Sequence, residues 1–115
     1  MQIQINSDKN IVLHTRLSNF VDTEINRILS RFNTHLTRVE AHLSDENAAK
    51  SGPQDKRCLL EARPRDHQAV AVTESAADIQ AAVSGAAHKM QRLLESTFGR
   101  IEAKRPMPST IPATE

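Results

Sequence analysis

The 115-residue chain has no tryptophan, no tyrosine, one cysteine and three glycines. Phe20, Phe32 and Phe98 are its only aromatics, too little ring area for a reader that stacks successive bases. Cys58 alone permits neither an intramolecular disulfide nor a multi-cysteine zinc site, and no disulfide-linked partner is expected. So few glycines leave no phosphate-cradling loop. No apolar run approaches the roughly 18 residues of a membrane span, and Met1-Gln2-Ile3-Gln4 does not open a signal peptide. The expectation is a cytoplasmic protein with no membrane partner.

What remains is a lean, single-domain composition. Val, Ile, Leu and Phe supply 26 of the residues, about 23%, just above the level at which chains stay disordered. With 15 basic against 14 acidic residues the net charge is only +1. Such a chain folds around a modest, Ala-rich core.

Residues 1–6 alternate apolar and polar, the pattern of a half-buried strand. After Ser7-Asp8-Lys9-Asn10, Leu17, Val21, Glu24, Ile25, Ile28 and Phe32 fall on one side at roughly 100° per residue. All but Glu24 are apolar, so residues 16–32 read as a core-facing helix. From Arg38 the period returns to two, with Val39, Ala41 and Leu43 set against Glu40, His42 and Ser44. Residues 57–63 and 67–74 read as two further strands around a Pro64-Arg65-Asp66 connection. Ser75 with Asp78 resembles a helix cap. Ile79, Val83, Ala86, Met90, Leu93, Leu94, Thr97 and Ile101 then line a long second helix, weakened locally by Gly85 and Gly99. Leu60 joins Leu17, Val21, Ile28, Phe32, Val39, Leu43, Val83, Met90 and Leu93 in the expected core. The order predicts an α+β fold, a two-layer βαβββα sandwich whose four-stranded sheet carries both helices on one face. Residues 1–105 form the domain, and residues 106–115 a flexible Pro-rich tail.

Charge is segregated within this frame. Residues 15–38 carry net +2, residues 39–56 net −2 and residues 76–105 net +2. On the second helix Lys89, Arg92 and Arg100 share one flank of the apolar stripe. Arg16, Arg27 and Arg31 share a flank of the first. Cations at this spacing suit phosphate binding, where each neutralised phosphate releases counterions. The competing reading is a solvated face whose long stems cover the core edge.

The element order, the first-helix run Leu17 through Phe32, and Ile79-Gln80-Ala81-Ala82-Val83-Ser84-Gly85 with His88-Lys89-Met90 and Arg92-Leu93 resemble the ribosome hibernation promoting factor family. Its members are also called ribosome-associated inhibitors or sigma-54 modulation proteins. The stretch Arg38 to Asn47, followed by Asp55-Lys56-Arg57-Cys58 and Glu61-Ala62-Arg63, is similar to a short, single-domain branch. The resemblance implies a translation inhibitor that binds small-subunit rRNA in the channel for messenger and transfer RNA when growth stops. It implies rRNA contacts by Lys89, Arg92, Arg27 and Arg31, with Arg100 and Lys104 continuing the basic run. Glu95 through Gly99 interrupts that run, Gln80 stands where the family has an aromatic, and Ser84 where it has an Asp. The alternative is an interaction or stress-regulatory domain of the same fold that uses the acidic Asp45–Asp55 loop or a sheet edge and does not bind ribosomes.

No enzyme is expected. Cys58, with His42 or His67 in the same sheet, lacks a catalytic signature, and a strand cysteine is ordinarily a small buried hydrophobe. His14, His35, His42, His67 and His88 show no ligand spacing, although two could still meet in space, and Asp45-Glu46-Asn47 with Asp55 lacks the calcium-loop pattern. Neither metal, cofactor nor small-molecule substrate is therefore expected.

Overall fold

The computed structural model describes residues 1–46 and 56–104, with side chains through residue 99. Most of the expected acidic loop, the whole of the Pro-rich tail, and the side chains of Arg100, Ile101 and Lys104 lie outside the described residues. Strands β1 (Gln2–Ser7), β2 (Leu36–Asp45), β3 (Lys56–Pro64) and β4 (Val70–Ala76) and helices α1 (Thr15–Leu29) and α2 (Ile79–Lys104) follow in the order βαβββα. The sheet order is β1-β2-β3-β4. β1 runs parallel to β2, while β2–β3 and β3–β4 are antiparallel. A parallel neighbour needs a crossover, which α1 supplies.

Both helices lie on one sheet face, and α1 packs against α2. Pleating sends alternate residues to this face, where Val39, Ala41 and Leu43 of β2 meet Leu60, Ala62 and Cys58 of β3 across the register. All six are buried, together with Leu17, Val21, Ile25, Ile28 and Leu29 of α1 and Val83, Met90 and Leu94 of α2. Four buried alanines on α2 (Ala82, Ala86, Ala87) and β2 (Ala41) allow close approach of the helix and sheet. Leu93, expected in the core, is only partly buried and packs against its edge.

Several boundaries move for local reasons. α1 ends at Leu29, not residue 32, and Ser30–His35 tightens into a 3-10 helix that still inserts Phe32 into the core. Ser, Asn, Thr and His are poor helix formers, and 3-10 turns are common at helix ends. β2 begins at Leu36, two residues before the expected start. A register irregularity between Leu36 and Arg38 lets both Leu36 and Val39 face the core, so strict alternation starts only beyond it. β4 begins at Val70, because Asp66 takes a left-handed conformation (φ 62°) and the turn extends past it; Asp tolerates this region better than most residues. Ser75 lies within β4 and does not cap α2. Asp78 Oδ1 instead accepts from the Ala81 amide at 2.8 Å, a side-chain cap one residue before the helix.

Candidate nucleic-acid interface

Glu24 is the one charged member of the apolar side of α1, and the fold places it at the seam between the helices. Its side chain is only 12% exposed. Ser84 of α2 donates its hydroxyl to Glu24 Oε2 at 2.6 Å. Arg27, one turn along α1, approaches the same oxygen at 3.0 Å and donates through Nε to Oε1 at 3.1 Å. The Ser84 hydrogen bond is the largest influence holding this carboxyl below its ordinary pKa; burial opposes it, and Arg27 reinforces it.

Arg31 reaches across the same seam to Glu95 of α2 at 2.8 Å. Its guanidinium also lies 5.1 Å from the centre of the Phe32 ring, within cation–π range. Phe32 stacks on Phe98 with ring centres 5.6 Å apart, and His35 tilts against Phe98 at 5.1 Å. Two of the three phenylalanines thus close the far end of the helix pair.

Lys89 faces the other way. Its ammonium meets Glu74 of β4 at 2.8 Å and donates to the Thr73 carbonyl at 2.9 Å. Gly85, one turn earlier, makes room for this contact, since a Cβ there would lie 2.7 Å from Glu74 Cγ. Arg92 is exposed, and its side chain makes neither an ion pair nor a hydrogen bond among the described residues. Arg100 and Lys104 fall on the last turns of α2, where only the backbone is described.

The expected cations therefore form two groups. Arg27 and Arg31 stand on the α1 side of α2 and Lys89 on the β4 side, with Arg92 near the exposed ridge between them. Arg27, Arg31 and Lys89 are each paired with a carboxylate, so the surface is interleaved in sign. Net charge by segment could not reveal this, because Glu24, Glu74 and Glu95 come from three separate elements. Glu24 itself carried a legible signal: a lone carboxylate in an apolar stripe requires a donor from a neighbouring element.

Cys58 is fully buried, and burial pushes its thiol up to about 12, opposite to what a nucleophile needs. At the sheet end, Asp45 lies 3.5 Å from Lys56 and Glu46 lies 3.6 Å from Arg57. No described helix is long and apolar enough to cross a membrane.

Residues 3–102 match the model of the family described as sigma 54 modulation protein / S30EA ribosomal protein. The chain belongs to this family. Its fold is similar to that of the Thermus thermophilus Protein Y N-terminal domain, with a TM-score of 0.68 at 18% identity over 84% of this chain and 99% of that one. It is also similar to a ribosomal subunit interface protein from Coxiella burnetii, with a TM-score of 0.66 at 14% identity over 90% of this chain and 100% of that one. None of the curated proteins compared matches the chain in sequence.

Proposed function

We propose that this protein associates with the small ribosomal subunit in the cytoplasm, binding rRNA in the channel for messenger and transfer RNA and holding translation silent under stress or in stationary phase. The family match over residues 3–102 carries the reading, and both structural neighbours bear on it through the fold they share. The interface is the outer surface of α1 and α2, with Arg27, Arg31, Lys89, Arg92, Arg100 and Lys104 as its phosphate ligands. Intramolecular partners do not preclude this role. Exposed ion pairs contribute about 0–1 kcal/mol, so a phosphate can take the place of Glu74 or Glu95 at small cost. Arg92 needs no such exchange with any described residue.

Co-sedimentation with small ribosomal subunits across a salt series tests the proposal. Three to five phosphate contacts give a log–log slope of roughly −2 to −4, at about −0.7 per phosphate for single strands. Reversing Lys89 and Arg92 to Glu should abolish binding; because Lys89→Glu also sets a carboxylate against Glu74, Arg92→Glu alone, which disturbs no described contact, should weaken it as well. Reversing Lys50 and Lys56 should do much less. Equal effects from both pairs, or binding indifferent to salt, would refute an rRNA interface. The interleaved charge of α1 and α2 favours the alternative of an interaction domain without ribosome affinity. That reading predicts a retained protein partner after the helix reversals and its loss on neutralising Asp45, Glu46 and Asp55.

A further inference from the structure

The sheet face away from the helices carries a second arrangement, independent of the ribosome reading. Register places Gln4, Glu40 and Glu61 in one row across three strands, with Asn6, His42 and Leu59 in the next. Glu40 and Glu61 are directly opposed. Two like charges in that relation destabilise a sheet unless a cation lies between or beside them.

In the neighbouring row Arg38 stands opposite Arg63, and of these two arginines only Arg38 pairs with a glutamate of the Glu40–Glu61 row among the described residues. Arg38 Nη2 lies 2.8 Å from Glu40 Oε2, which leaves Oε1 directed toward His42 Nε2 at 3.4 Å. Glu61 is half-buried and makes neither a hydrogen bond nor an ion pair among the described residues. One donor atom from each of Glu40, His42 and Glu61 falls within 4.8 Å of the others. Beside them a concavity of about 330 Å³ opens to solvent, lined by Asn6, His42, Ser44 and Arg57 among others.

We propose that Glu40, His42 and Glu61 form a binding site for one divalent first-row transition metal of the zinc type. An imidazole nitrogen and two carboxylate oxygens make a donor set that zinc accepts, leaving a fourth position for water from the concavity. Ligands about 2.0–2.1 Å from a tetrahedral ion stand roughly 3.3 Å apart, close to the Glu40–His42 separation. A side-chain rotation of Glu61 supplies the remaining approach. Arg38 acts as the outer partner that fixes Glu40, as hydrogen-bonded neighbours do around ligating carboxylates. All three ligands sit on strands, so the backbone holds them in place before the ion arrives. The competing explanation is a simple Arg38–Glu40–His42 charge network with Glu61 solvated beside it.

Titration of the full chain with zinc chloride by calorimetry, and with cobalt chloride by visible absorption, separates the two. The site predicts one ion per chain, cobalt ligand-field bands, and amide shifts in NMR spectra centred on Glu40, His42 and Glu61. Glu61→Gln and His42→Ala should each weaken binding about tenfold or more, whereas His88→Ala, on the far side of the molecule, should not. The amide shifts need no variant and stand even if one misfolds. Absence of one-to-one binding at millimolar metal, shifts centred on another histidine, or affinity unchanged in both ligand variants would overturn the proposal.

Discussion

Replacing Ser84 by alanine removes one hydroxyl from the helix seam and leaves Arg27 as the hydrogen-bond partner of Glu24 among the described residues, with the more distant His88 adding only its field. The bond lost is short, 2.6 Å, and its acceptor is a carboxylate only 12% exposed. Hydrogen bonds to charged groups contribute about 1.5–3 kcal/mol. Alanine is the better helix former, by about 0.5 kcal/mol, so a net loss of about 1–2.5 kcal/mol is expected at neutral pH. For a domain of this size that lowers Tm by roughly 4 °C per kcal/mol. The loss should also depend on pH. Ser84 helps to hold the Glu24 pKa below the ordinary glutamate value. A carboxyl depressed on folding contributes stability above its unfolded pKa and loses it as pH falls through the folded value. The wild-type advantage should therefore be full at pH 7 and should shrink as pH falls below about 4. Urea titrations of both proteins at pH 7 and pH 3 measure it. A penalty below about 0.3 kcal/mol at pH 7, or one equally large at both pH values, would refute an ionised Glu24 held by Ser84.

Two further outcomes follow from the core. Leu60→Ala, at a fully buried position on β3, should cost about 2–5 kcal/mol in denaturant titration; a change under about 0.5 kcal/mol would show that the site collapses or was never packed. Cys58 should resist a thiol-specific disulfide reagent at pH 8 while the protein is folded, and react fully in guanidinium. Because its folded pKa is raised to about 12, its contribution is intact below the unfolded value near 9 and declines as pH climbs toward 12. Rapid labelling of the native protein would show that β3 opens readily.

The two periodicities of the chain determined a great deal without any neighbour in view. A strand alternates because its backbone is pleated, and a helix stripe recurs because of its turn. Val39, Ala41 and Leu43, or Val83 and Met90, therefore reveal which way they point from local spacing alone. Element order and the two-layer α+β sandwich follow from that, since every apolar stripe must find cover. Local spacing also misled where geometry changed within a segment. The 3-10 turn preserved the inward direction of Phe32 after α1 had ended, and the irregularity at Leu36 hid the start of β2.

Only tertiary structure decided what the polar residues do. Glu40 and His42 are two apart on one strand, an unremarkable spacing. They become a candidate ligand set only because antiparallel register brings Glu61, 19 positions further than His42, opposite Glu40. Glu24 meets Ser84, Arg31 meets Glu95 and Lys89 meets Glu74 for the same reason. Each pair joins elements whose mutual placement is set by packing of the apolar core, and local periodicity specifies which face a side chain occupies but not which residue stands across from it.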